Sequence, residues 1–168
     1  MNERKPEEQR RSILGIDYGR ARIGLAIADS ETLLARPLDT LQRVNRNEDM
    51  RHLREIVREH GVRQIVVGLP LRLDGTRGDM AEEAARFAAR VRKQIGVPVE
   101  MVDERLTSWE AERLLEEQAG RILHAAKSGR KRDKLGASKF SVDALAAAVI
   151  LKEYLDKLHA TETPPRHI

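Results

Sequence analysis

The chain has 168 residues, the length of one domain, and 40% of them are hydrophobic but only 3% aromatic, so its core must be aliphatic. It contains no cysteine, which excludes disulfides, iron–sulfur clusters and thiolate zinc sites. The formal net charge of +4 permits a polyanionic partner but does not demand one.

The two ends of the chain are polar. Residues 1–11 are highly charged and include a proline, and residues 160–168 read "ATETPPRHI". We expect both to be disordered tails around a single domain that spans residues 12–159. The N-terminal stretch lacks the apolar segment of a secretory signal, and no apolar run reaches the roughly 18 residues of a membrane span. These features favour a cytoplasmic protein with no membrane partner.

The first three predicted strands form a meander. The stretches "ILGIDYG" and "RIGLAIAD" are apolar and meet at "GRAR", which predicts a hairpin. The stretch "LLARPLDTL" predicts a third strand, and Pro37 favours an edge or a bend of the sheet for it. These three strands are therefore expected to be antiparallel.

The middle of the chain alternates between helix and strand. Residues 47–60 are predicted to be helical because their apolar residues follow helical spacing, namely Met50, Leu53, Ile56 and Val57. The stretch "RQIVVGLP" comes next and is typical of a strand buried on both faces. A loop, "LRLDGTRGD", follows this strand.

The last part of the chain predicts three helices and one strand. Asp79 is expected to cap a helix that ends at Gly96, with Glu82 as its capping-box partner. The strand "VPVEMVDE", the helix "TSWEAERLLEEQ" and a final helix over residues 139–158 follow. This order predicts an α/β fold whose mixed five-stranded sheet has three antiparallel strands, then parallel ones, with helices on both faces.

Acidic residues stand at three places where a ligand would bind. Asp17 ends the first strand, and the pair Asp103 and Glu104 follows the last strand. Ligands gather at the carboxyl ends of parallel strands, so these acids belong at one edge of the sheet. Asp143 begins the last helix on the same face as Ala147, which directs it toward protein.

Each acid also has a purely structural interpretation. Asp17 can bond the backbone of the turn that follows it, Asp103 can pair with Arg105, and Asp143 suits the positive end of a helix. A cluster of all three would repel itself unless divalent cations were bound. Carboxylates are the ligands that Mg²⁺ and Mn²⁺ prefer, so the cluster favours a metal site.

Four sequence blocks resemble the YqgF family of Holliday-junction-resolvase-like, pre-16S rRNA nucleases. They are "LGIDYGRARIGLAIAD", "VVGLPLRLDGTRGD", "VDERLTS" and "SVDALAAAVIL", and they occur in this order. The resemblance implies an RNase H-like fold. It also implies a nuclease site in which Asp17, Glu104 and Asp143 are catalytic and bind Mg²⁺ or Mn²⁺, with two ions expected.

The sequence departs from related resolvases in one respect. Those proteins place their second acid after the strand beside the first one, but here that stretch reads "VVGLP" and offers no acid. The second carboxylate must come from "VDERLTS", one strand further out. Asp103 therefore remains an alternative to Glu104.

Basic residues near these blocks are candidates for substrate binding. Residues 127–139 form a predicted loop that contains six basic residues and one acid, Asp133. This loop is either a flap that binds phosphates or simply a solvated loop. Arg72 and Arg77 lie in a predicted loop that either binds the phosphate backbone of a nucleic acid or is an ordinary loop with an Asp-Gly turn. The full set of candidates is Arg20, Arg22, Arg72, Arg77, Arg105, Lys127, Arg130, Lys131, Arg132, Lys134 and Lys139.

The resemblance favours a metal-dependent nuclease that processes the 5′ end of pre-16S rRNA, with RNA preferred over DNA as the nucleic-acid partner. A resolvase-like DNA nuclease and a non-catalytic RNA-binding module are the alternatives. An actin-like ATPase would need a second domain around its nucleotide, and the chain is too short for one. The sequence is compatible with a monomer or a homodimer.

Overall fold

The computed structural model describes residues 12–29, 32, 34–72, 74–103, 117 and 141–162. The elements in chain order are β1 (Ser12–Asp17), β2 (Arg22–Asp29), β3 (Ala35–Gln42), α1 (Arg46–Glu59), β4 (Val62–Leu69), α2 (Asp79–Ile95), β5 (Val99–Asp103) and α3 (Val142–Glu162). The five strands form one sheet in the order β3-β2-β1-β4-β5. Strands β1 to β3 are antiparallel, whereas β4 runs parallel to β1 and β5 parallel to β4, which confirms the predicted mixed sheet.

The third strand lies at an edge of the sheet, as its proline predicts. Leu25 of β2 pairs with Asp39, and the next residue, Ala26, pairs with Pro37. Leu38 is therefore an extra residue on β3 and forms a bulge. Proline lacks a backbone N–H and is tolerated at edges and bulges, so Pro37 does not interrupt the ladder of a central strand.

Helices cover both faces of the sheet. On one face, the side chains of Leu14 and Ile16 point toward α1 and α2, where Phe87 fills the centre of the cluster. On the other face, small residues of the sheet such as Ala26 pack against α3. Successive residues of a strand point to opposite faces, so every second residue of β1, including Gly15 and Asp17, faces α3.

Helix α3 lies unusually close to the sheet because two glycines leave room for it. A Cβ at Gly15 would lie 2.8 Å from the Cβ of Leu151, and a Cβ at Gly24 would lie 1.9 Å from the carbonyl oxygen of Asp143. Any side chain at Gly24 would thus overlap the first turn of the helix. The backbone of Asp143 can rest on β2 only because this position is glycine.

The ends of the helices differ from the predictions at several positions. Helix α1 begins at Arg46 because Asn45 caps it, its Oδ1 accepting from the Glu48 N–H at 3.0 Å. The predicted Asp79 cap is wrong by one residue. The N-cap is Gly78, which has no side chain to form a capping bond, so Asp79 lies inside the helix as a first-turn acid.

The last helix is displaced relative to its predicted range. It begins at Val142 because Ser141 caps it, with the Ser141 Oγ accepting from the Ala144 N–H at 3.3 Å. The same oxygen forms a hydrogen bond with the Thr40 hydroxyl of β3. The helix ends at Glu162 rather than residue 158. The predicted helix "TSWEAERLLEEQ" lies, apart from Glu117, outside the described residues.

None of the helices that the structure describes is both long and apolar enough to cross a membrane.

We expect Gly24→Ala to lower the free energy of unfolding by at least about 3 kcal/mol, because the added methyl group overlaps a backbone atom. Gly96→Ala is the matched control. Gly96 has a positive φ of 79° but no atom within 4 Å of its Cβ position, so only backbone strain of about 1 kcal/mol should result. Urea unfolding of both variants measures the difference, and equal losses would contradict the close contact.

Candidate functional site

Two of the predicted acids lie side by side at one edge of the sheet. Asp17 ends β1 and pairs with Gly24 of β2. The carbonyl of Asp143 rests on Gly24, so the first turn of α3 lies over the strand next to Asp17. Asp17 faces α3, and the charge of Asp143 is close enough to act on its carboxylate. The close contact at Gly24 is therefore what brings the two acids together.

The surroundings of Asp17 disfavour the charged form of its carboxylate. Burial, and secondly the negative charge of Asp143, raise its pKa from 3.8 to about 6. No hydrogen-bond donor from the described part of the chain contacts this carboxylate. The ionised form of Asp17 is thus disfavoured in the protein alone, and a bound cation would relieve this.

Asp143 has a different environment, because a cation already contacts it. Its Oδ2 accepts a hydrogen bond from Nε of Arg22 at 3.0 Å. Arg22 is the first residue of β2 and its side chain is 56% exposed, so the pair lies at the surface. Sequence reasoning placed Arg22 among the substrate-binding residues but gave no indication of this contact, which joins residues 121 positions apart.

The chemistry of the two acids fits a divalent cation. Carboxylate oxygens suit Mg²⁺ and Mn²⁺, and the raised pKa of Asp17 marks a site that favours added positive charge. Within the described ranges, no three acidic or histidine side chains are grouped closely enough to hold a metal ion. Glu104, the predicted third acid, lies outside them, as does Arg105.

The end of β5 shows on which side of the sheet Asp103 lies, and so bears on the choice between Asp103 and Glu104. Val99 and Met101 pack on the α1–α2 face, whereas Val102 packs on the α3 face. Asp103 therefore falls on the face opposite to Asp17 by strand alternation. The neighbouring strand, β4, ends at Leu69 without an acid, in agreement with the departure seen in the sequence.

A network that was not predicted holds the turn after Asp17. The buried carboxylate of Asp49, 1% exposed, accepts from Nε of Arg43 at 3.1 Å. Arg43 in turn donates to the Tyr18 hydroxyl at 2.9 Å, and this hydroxyl donates to Glu83 at 3.3 Å. Arg20 binds the same Glu83 through two nitrogens. Of these residues, only Asp49 is marked by its local sequence, and that sequence predicts just an ordinary acid in the first turn of a helix.

Of the other predicted substrate residues, the structure describes two. Arg72 and Arg77 lie in the loop that leaves the carboxyl end of β4, at the same edge of the sheet as Asp17. The guanidinium of Arg72 lies over Gly78, 3.1 Å from its Cβ position, and Arg77 is exposed. The remaining basic candidates are outside the described residues: Lys127, Arg130, Lys131, Arg132, Lys134 and Lys139.

Comparison with known proteins gives a consistent result. A family model described as RuvX, Holliday junction resolvase, matches residues 11–157. A protein of Anaeromyxobacter dehalogenans (strain 2CP-C) named "Putative pre-16S rRNA nuclease" is 45% identical over 144 residues, which cover 86% of this chain and 96% of that protein. A protein of the same name from Koribacter versatilis is 39% identical over 154 residues, covering 92% of both.

Two solved structures that resemble this chain are those of RuvC from Thermus thermophilus. Thermus thermophilus RuvC in complex with a Holliday junction substrate matches with a TM-score of 0.54 and 18% identity, over 92% of this chain and 99% of RuvC. A second Thermus thermophilus RuvC structure matches with a TM-score of 0.51 and 17% identity, over 89% of this chain and 97% of RuvC. At these identities the likeness shows a shared fold, which confirms the predicted RNase H-like architecture.

The pKa of Asp17 predicts how stability depends on pH without metal. Because the folded pKa of about 6 exceeds the ordinary 3.8, the folded protein binds the proton more tightly, so stability falls as pH rises between these values. In EDTA, Asp17→Asn should raise the free energy of unfolding by roughly 2 kcal/mol at about pH 7.5 and change it little at about pH 4.

The control for this measurement is Asp156→Asn. Asp156 is an exposed acid on α3, 3.7 Å from Lys152. Its loss should change stability by less than about 0.5 kcal/mol at either pH. Chemical unfolding at a series of pH values tests both variants. An Asp17→Asn effect that does not vary with pH would show that the acid is not destabilised by its surroundings.

Proposed function

The chain belongs to the RuvX family of Holliday junction resolvases, and we propose that it is a divalent-metal-dependent nuclease that processes the 5′ end of 16S rRNA precursors. The observation that carries the proposal is the placement of Asp17 beside Asp143 at the carboxyl end of β1. The names of relatives at 39–45% identity support pre-16S rRNA as the substrate. Such an enzyme would act in the cytoplasm.

Asp17, Asp143 and Glu104 would hold the metal, and we propose two ions of Mg²⁺ or Mn²⁺. Metal held by these residues would supply activation of a water molecule and stabilisation of the charge on the leaving oxygen. Asp17 must lose its proton to act as a ligand. Its pKa of about 6 therefore makes metal affinity rise as the pH increases through that value.

The proposal for the third acid rests on strand alternation. Val102 packs on the α3 face, the face that Asp17 also occupies, and Asp103 falls on the other one. If β5 keeps its alternation for one more residue, Glu104 returns to the side of Asp17. This favours Glu104 over Asp103 as the third ligand.

The basic residues fall into those that hold the fold and those that would contact the nucleic acid. Arg20 is engaged by Glu83, so we assign it to holding the turn after β1. Arg72 and Arg77 would contact phosphates at the sheet edge, and Arg105 would do so after β5. The loop over residues 127–139 leads toward Asp143 and would add phosphate contacts that carry no sequence information.

Resolution of DNA junctions is the second candidate function. The family description names Holliday junctions, and the fold is shared with RuvC bound to one. The two functions use the same metal site and differ in the nucleic acid, so only substrate comparison separates them. A role limited to RNA binding would give no reason to place two carboxylates together at a cost in stability.

The test is cleavage of a 16S rRNA precursor with its 5′ leader, beside a four-way DNA junction, with Mg²⁺, Mn²⁺ or EDTA. We expect the RNA to be cleaved in either metal and to stay intact in EDTA. Asp17→Asn and Asp143→Asn should each lower the rate by about 100-fold or more, and Asp156→Asn should not. Faster cleavage of the junction would favour the second candidate, and full activity of Asp17→Asn would exclude the metal site.

The same assay separates the two acids after β5. Glu104→Gln should lower the cleavage rate by about 100-fold, whereas Asp103→Asn should retain most of the activity, because only one of two successive residues can face Asp17. Melting curves check that both variants fold. The reverse order of activities would mean that the strand does not continue its alternation and that Asp103 is the ligand.

A further inference from the structure

We propose that Arg22 is an exchangeable counter-ion: it neutralises Asp143 in the metal-free protein, and metal binding frees it to contact a phosphate of the nucleic acid. Metal and nucleic acid would then bind cooperatively through this one side chain. The inference rests on the proposed function, because it takes Asp143 as a metal ligand.

The contact between Arg22 and Asp143 is a partial one. Nε of Arg22 donates to Oδ2 of Asp143 at 3.0 Å, and the terminal nitrogens meet no acceptor in the part of the chain that the structure describes. The side chain is 56% exposed. A surface pair of this kind contributes little stability, so its loss on metal binding has a low free-energy cost.

Arg20 shows what a fixed arginine looks like in the same turn. It lies two residues before Arg22 and binds both oxygens of Glu83. The Glu83 carboxylate is also held by Tyr18, so this guanidinium belongs to the network that fixes the turn. Glu83 belongs to α2, on the opposite side of the sheet from Asp143. Arg22 has no such network among the residues that the structure describes, and its one partner there is the candidate metal ligand.

The charges of the site favour the exchange. Arg22 and a divalent ion would compete for the Asp143 carboxylate, and the ion carries the larger charge. Once the ion is bound, the guanidinium is left exposed beside it at the edge of the sheet. An arginine in this position can donate two parallel hydrogen bonds to a phosphate group. Thermodynamic linkage then makes each ligand strengthen the binding of the other.

The first measurement is Mn²⁺ binding in the absence of nucleic acid, by titration calorimetry or electron paramagnetic resonance. Arg22→Gln removes the competitor, so we expect it to bind Mn²⁺ about fivefold more tightly than the wild type. Arg20→Gln removes the same charge two residues away and leaves Asp143 paired. The Arg43–Asp49 pair and its bond to Tyr18 still hold the turn, so the Mn²⁺ affinity of this variant should stay close to that of the wild type. Circular dichroism and urea unfolding check the fold of each variant.

The second measurement is fluorescence anisotropy of a labelled RNA hairpin, in EDTA and in Mn²⁺, with a denaturing gel to confirm that the hairpin stays intact. In EDTA, Arg22→Gln should bind the hairpin nearly as the wild type does, because the adjacent Asp143 carboxylate cancels the charge of Arg22 and repels a phosphate. In Mn²⁺ it should bind about fivefold or more weakly than the wild type.

The outcomes separate this inference from the proposed function. If the wild type binds Mn²⁺ but Arg22→Gln binds it no more tightly than Arg20→Gln does, only the exchange is wrong. An equal loss of RNA affinity in EDTA and in Mn²⁺ would make Arg22 a permanent phosphate contact and would also overturn the exchange. If neither the wild type nor any variant binds Mn²⁺, the proposed metal-dependent function and this inference fail together.

Discussion

The close approach of α3 to β2 at Gly24 is the constraint on which the site depends. A Cβ there would lie 1.9 Å from the Asp143 carbonyl oxygen, so the helix can occupy its position only over a glycine. Ser141 fixes the start of the same helix through its capping bond and its contact with Thr40 of β3. The first turn of α3 is therefore held over two strands at once, and its acid must lie next to Asp17.

This packing has an electrostatic cost that the rest of the site compensates in part. Burial and the nearby charge of Asp143 raise the pKa of Asp17, while Arg22 neutralises the second acid. The metal-free site thus holds one disfavoured carboxylate and one that is paired at the surface. Added positive charge would improve both the local electrostatics and the stability of the fold, which is the relation expected between the proposed metal site and its ion.

The sequence was sufficient for the parts of the site that follow from local periodicity. The position of Asp17 at a strand end and that of Asp143 on the inner face of a helix could be inferred because strands and helices have fixed repeats. The predicted Asp79 cap is wrong because a capping-box match does not decide whether Gly78 or Asp79 is the last residue before the helix. The sequence does not predict the partner of Arg22, because the contact joins residues 121 positions apart and produces no periodic pattern in the sequence.

The two sides of the site are held by different kinds of interaction, and this bears on how it works. The turn after Asp17 is fixed by the buried pair of Arg43 and Asp49, which continues through Tyr18 to Glu83. Breaking such a buried pair leaves an uncompensated charge, so it resists rearrangement. The Arg22–Asp143 pair is exposed and can rearrange at little cost. Arg43 therefore helps to hold the turn after Asp17 in place, while Arg22 can change partners when a cation binds.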